Sequence, residues 1–166
     1  MTDLKRFISE QQAKKQSQER HVDWAQRKAR WLDELEQLFV RIRLALVEAG
    51  LDESAFTPTT HALQEETLGS YQVCGLRVEM PTGVVQFTPV ASVIIGGFGR
   101  VDVIEAGRGE RVKLIAQQPD ESPVDDTRPP YDREWVWRVY PGVGARGGFD
   151  FDDKGLVRLF ELMVGE

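Results

Sequence analysis

The 166-residue sequence predicts an α+β fold: one long N-terminal helix or two helices, an antiparallel β-meander of five to six strands, and a short C-terminal helix. Three observations carry this. Residues 3–49 contain neither proline nor glycine. Beyond Gly69 the apolar residues regroup into short β-branched or aromatic runs parted by turn residues. The final stretch then returns to helical spacing. Residues 1–50 therefore read as a helical arm, and 51–166 as a sheet domain closed by a helix.

The arm is rich in Gln, Lys, Glu, Arg, Leu and Ala, which lose little side-chain freedom in a helix. Gly50 supplies the stop, since glycine accepts the left-handed conformation that ends a helix. Trp24, Trp31, Leu38 and Ala45 recur every seven residues, and Leu35, Ile42 and Ala49 form a parallel row. Leu32, Phe39 and Leu46 widen this stripe, which has to bury against something. Ser9 to Arg20, by contrast, carries no large apolar residue. Leu4, Phe7 and Ile8 stand alone in front of it, as the tip of an arm that contacts another chain or as a helix docked loosely on its own domain.

The segment from Leu51 to Gly69 is mixed, with one short helix expected over Thr60 to Leu68. Six strand-like runs follow: "YQVCGLRVEM", "VVQFTPV", "ASVIIGGF", "RVDVIEA", "ERVKLIAQ" and "EWVWRVY". Thr82-Gly83, Gly107-Arg108-Gly109 and Pro141-Gly142 form tight connections, and short connections imply antiparallel neighbours. Gln118 to Asp132 is acidic and proline-rich, and reads as an exposed loop. In the tail, Leu156, Leu159, Phe160 and Met163 share a helix face, with Asp152 as N-cap and Asp153 near the positive dipole end.

Catalytic vocabulary is sparse. Gly96-Gly97-Phe98-Gly99 resembles half a phosphate loop, but such a loop must run from a strand into a helix, and strand-like residues follow here. It reads as a bend or bulge where close packing or positive φ is needed. Asp150 to Glu161 partly fits a calcium loop, with Gly155 sixth. Lys154 occupies a ligand position, however, and a capped helix start explains the same residues. His21 and His61 lack metal-ligand spacing, and no nucleophile elbow occurs. The pairs Asp132 with Glu134, and Glu65 with Glu66, are acid–base candidates only in the general sense that acidic surfaces provide them. Cys74, the single cysteine, excludes an internal disulfide and reads as a small core residue. No cofactor is implied.

Charge is uneven: about +2 over residues 1–50 (ten Lys/Arg, eight Asp/Glu) and about −8 over the rest (eleven against nineteen). Arg100, Arg108, Arg111 and Lys113, with Phe98 nearby, would be the nucleic-acid contacts, but Asp102, Glu105 and Glu110 interleave and dilute their field. Trp135 and Trp137 share one strand face, as core against a helix or as an exposed hot spot. The polar N-terminus lacks a signal-peptide core, and a reducing, cytoplasmic setting is expected.

No motif is specific enough to name a family. The expected function is a non-catalytic protein-interaction module: an accessory, adaptor or antitoxin-like subunit of a bacterial multiprotein assembly. It would dock on another chain, or self-associate, through the N-terminal helix, with Leu4, Phe7 and Ile8 at the tip and Trp24 and Trp31 as base, part of that stripe being available to the sheet instead. The alternatives are a ligand-binding protein or enzyme with a sheet-face pocket near Glu134 or Asp150, and a nucleic-acid-binding accessory subunit.

Overall fold

The computed structural model describes residues 2–18, 24–66, 68–92, 94, 97–107, 111–119, 130–142 and 147–165. Two helices come first, α1 (Thr2–Gln18) and α2 (Trp24–Glu48). Seven strands follow: β1 (Phe56–Glu65), β2 (Gly69–Met80), β3 (Gly83–Ala91), β4 (Gly99–Glu105), β5 (Arg111–Gln117), β6 (Val136–Tyr140) and β7 (Phe149–Asp150). Helix α3 (Asp153–Val164) closes the chain. Every strand pairs antiparallel with its sequence neighbours, in the order β1 to β7. The architecture is α+β with a meander, as expected, but with seven strands rather than five to six.

Three local differences account for that count. Thr60 to Leu68, expected as a short helix, supplies much of β1. Phe149–Asp150 adds a short seventh strand against Arg138 and Val139. The run "ASVIIGGF" is not a full strand: β3 ends at Ala91, and Ile94 bridges back to Gly97. The ladder between β3 and β4 shifts register between Pro89 and Ala91. Proline cannot donate to a ladder, so a central strand tolerates it beside such an irregularity.

The stripe of α2 lies on the sheet. Trp31, Leu35, Leu38 and Ile42 are buried there against a face that includes Val85, Phe87, Val101, Val103, Leu114 and Val139. Leu159, Phe160 and Met163 of α3 complete the same core. Trp135 and Trp137 also belong to it, Trp137 beside Trp31 (ring centroids 6.4 Å) and Trp135 stacked on Phe98 at 5.1 Å. Gly50 ends α2 with φ of 112°, the left-handed conformation anticipated for it. Asp152 caps α3 by accepting a hydrogen bond from the Gly155 amide at 2.8 Å.

Strand β2 changes its buried parity at Gly75. Tyr71 and Val73 are buried before it, Leu76 and Val78 after it. A Cβ at Gly75 would lie 2.6 Å from Thr59 Oγ1 and 2.9 Å from His61 Nε2, so the strand passes its neighbours too closely for any larger residue. Cys74, expected in the core, is exposed.

Candidate functional site: an exposed arm and the clefts around its base

Helix α1 presents its apolar tip to solvent. Leu4, Phe7 and Ile8 are 54%, 57% and 47% exposed. Their i, i+3, i+4 spacing puts them on one face, and every side chain from Asp3 to Lys14 is exposed. Polar residues fill the rest of the helix, so its apolar surface is concentrated at one end.

The base of the arm is different. Trp31 is 0% exposed and packs inside the domain, which corrects its assignment as a partner contact: the sheet already covers it. Trp24 is half-buried, with the Arg27 guanidinium 5.6 Å from its ring.

A polar cluster pins this end of α2 to the sheet. Arg27 donates to the Ser92 carbonyl at 3.1 Å. The Ser92 amide and hydroxyl donate to the two carboxylate oxygens of Glu65, each at 2.9 Å. Tyr71 donates its hydroxyl to the same carboxylate, while Lys28 sits 4.9 Å from its ring. The residue after β3, the end of β1 and the first turns of α2 are thereby tied together, which fixes the platform from which α1 projects. Burial lowers the pKa of Arg27, against the opposing charge of Glu65. Burial also raises the Tyr71 phenol well above its ordinary value, reinforced by the hydrogen bond and charge of Glu65 and opposed by Ser92 and Trp31.

The raised phenol has a measurable consequence. An unfolded tyrosine titrates near pH 10, whereas folded Tyr71 holds its proton to higher pH. Its contribution to stability is complete below the unfolded value and is lost as pH rises beyond it. Urea unfolding between pH 8 and 11.5 should show stability falling through the alkaline end, less steeply in Tyr71→Phe. Parallel pH profiles for the two proteins would remove Tyr71 as the cause.

Among the described residues, clefts border α2 at three places. The first, about 800 Å³, lies between α2 and the β6–β7 end of the sheet and includes Glu34, Arg41, Arg138 and Asp150. Its charged groups are engaged with one another or with the backbone. Glu34 accepts from Arg30 at 2.8 Å, Arg41 donates to the Phe151 carbonyl, and Arg138 faces Asp150 at 3.6 Å. The second, about 430 Å³, runs between α2 and the β1–β2 hairpin and carries both Glu36 and Arg43. The third, about 620 Å³, is a groove between the end of α2 and α3, floored by Leu46, Leu156, Phe160 and Val164. Its charged lining residues are Glu48, Asp153 and Glu161, all acidic.

Among the described residues, the remaining candidates are not brought together as a site. Arg100 donates to Asp102 through Nε at 2.7 Å and a terminal nitrogen at 3.1 Å. Lys113 lies opposite the same aspartate in the β4–β5 register. A carboxylate between two of the proposed phosphate contacts offsets part of the positive field that nucleic acid requires. Arg108 and the side chain of Arg111 lie outside the described residues, as do Gly96, His21 and residues 120–129. Gly99 begins β4 instead of a helix, and a Cβ there would lie 2.6 Å from Trp31 Cε3, so close packing explains it. Among the described residues, no group of three or more His, Cys, Asp or Glu is placed to hold a metal, and no helix is long and apolar enough to cross a membrane.

Sequence reasoning identified the arm's tip but missed the acidic groove, because its walls come from residues more than 100 positions apart. Compared with protein-family models, curated proteins and solved structures, the chain has no significant match.

Proposed function

We propose that this protein is a non-catalytic interaction module, an accessory or adaptor subunit of a bacterial multiprotein assembly, antitoxin-like in kind, that docks through its first helix. The observation that carries this reading is the exposed trio Leu4, Phe7 and Ile8 at the end of an otherwise polar helix. Burying them in a partner would release about 25 cal/mol per Å² of apolar surface, before the costs of association. The domain core is complete without them: α2 and α3 already cover the sheet face.

Removing residues 1–20 should leave the remainder folded, with an unchanged unfolding transition, and should abolish recovery of a stoichiometric companion in affinity purification. Equal recovery with and without the arm would defeat the docking reading. A second reading, a small-ligand site, draws on the cleft at Arg138 and Asp150, where cationic and anionic groups line about 800 Å³.

A further inference from the structure

We infer that the solvent-facing side of α2 is a two-fold interface, on which the α2 of a second copy of this chain lies antiparallel. The inference goes beyond the docking reading and makes no use of α1.

The sheet takes only one side of α2. Trp31, Leu35, Leu38 and Ile42 are buried, whereas Leu32, Val40 and Leu44 on the other side are 36%, 49% and 64% exposed. Steps of four residues place these three, together with Glu36, in one row along the helix. The outer side of a surface helix is ordinarily polar, so an apolar row there calls for a cover.

Two charges in or beside this row have no counter-ion within the molecule. Glu36 and Arg43 are seven residues apart, or two turns, so they point the same way about 10 Å from each other. Three and four residues from Arg43 stand Phe39, Val40, Leu46 and Val47, all apolar. The same positions around Glu36 hold Leu32, Phe39, Val40 and the like-charged Asp33. Among the described residues, the facing wall of the groove is Phe56, Pro58 and residues 72–76, none of them charged. Arg43 rests over the Phe56 ring at 5.7 Å.

A second α2 supplies both counter-ions at once. The midpoint of Glu36 and Arg43 falls between Phe39 and Val40. A two-fold axis there, perpendicular to α2, sets Glu36 opposite the partner's Arg43 and Arg43 opposite the partner's Glu36. Val40 then packs beside the axis against the partner's Val40, and Leu32 comes level with the partner's Val47. Residues 31–48 of the two helices overlap, over about 27 Å. Parallel pairing would instead bring Glu36 onto the partner's Glu36 and Arg43 onto the partner's Arg43, which like-charge repulsion opposes. Charge thus selects the antiparallel orientation, and burial of the apolar row drives the association.

An exchange of charges tests this, read as molar mass by light scattering across a concentration series of the full-length protein. The wild type should reach twice the monomer mass. Glu36→Arg and Arg43→Glu, each alone, create two like-charge contacts per dimer and should weaken it by at least about tenfold. The double variant Glu36→Arg/Arg43→Glu re-forms both pairs with their signs exchanged and should dimerise as the wild type does. An equimolar mixture of the two single variants should dimerise as well, because each chain then meets the opposite charge. Both residues are exposed, so the circular dichroism spectrum should not change. A wild type that is monomeric throughout, a dimer indifferent to the single reversals, or a double variant or mixture that stays monomeric overturns the inference. A monomeric wild type that still loses a foreign companion on removal of residues 1–20 overturns the two-fold contact alone and leaves the docking reading standing.

Discussion

Trp31→Ala is expected to lower the free energy of unfolding by about 3–5 kcal/mol, the range for emptying a large aromatic site in a packed core. The indole is fully buried where three parts of the fold meet. It lies beside Trp137 of β6, packs on the glycine that starts β4, and sits one turn beyond Arg27, which holds the Ser92 carbonyl. Removing it leaves a void that neither strand can fill without giving up its pairing. Urea denaturation gives the value directly. A loss below about 1 kcal/mol would mean that the helix is not seated on the sheet through this residue. Gly99→Ala tests the same contact from the other side, because its new methyl would overlap the indole. It should cost about 1–3 kcal/mol by overpacking. In a Trp31→Leu background that penalty should shrink, with the two changes coupled by about 0.5–3 kcal/mol, as expected for residues in direct contact.

Gly155→Ala is the second large effect, and its sign runs against intuition. Alanine in place of glycine inside a helix normally stabilises by about 1 kcal/mol. Here the methyl would overlap the backbone carbonyl oxygen of Asp150 and lie 3.0 Å from its carbonyl carbon. Backbone cannot rotate aside as a side chain can, so the start of α3 must lift away from β7. The same movement would break the Asp152 cap on the Gly155 amide, a contact whose loss typically costs about 1 kcal/mol. A destabilisation of about 2–4 kcal/mol is expected, combining overpacking with the lost cap. Thermal unfolding measures it, and a rise in melting temperature would show that α3 accommodates the methyl. Gly155, sixth in a partial calcium-loop pattern, thus has a steric reason to be glycine.

Different physical signals explain what the sequence made legible. The stripe of α2 was readable because Trp31, Leu35, Leu38 and Ile42 repeat at helical spacing and all four are buried. The capped start of α3 was readable because an Asp three residues before a glycine amide is a local device. Strand β1 was not: it is an edge strand containing Pro58, and its half-buried positions Thr59, His61, Leu63 and Glu65 are mostly polar, so its alternation in burial leaves no apolar alternation in the sequence. Strand β7, two residues long, is too short for any period to register. "ASVIIGGF" misled in the opposite sense: its apolar run feeds a turn, where Ser92 is buried because it donates to Glu65 from the end of β1. Of the exposed apolar surface, Leu4, Phe7 and Ile8 stood out by lacking apolar company. The acidic groove could not, since Glu48 and Glu161 meet only once α2 and α3 are folded.

The meander has a consequence for biosynthesis. Since each strand pairs only with its predecessor and successor, the sheet can lengthen hairpin by hairpin as the chain leaves the ribosome, the one long closure being the 18-residue connection between β5 and β6. Helix α2 is already available as a template for the growing sheet. The seal is different: Leu159, Phe160 and Met163 join the core from the 12-residue helix α3, so Phe87 meets Phe160 only after every strand has been made. A nascent chain stalled before Asp153 would therefore hold an assembled sheet with one end of its interior uncovered. Docking of α3, more than the pairing of any strand, is the event that makes the domain safe from aggregation.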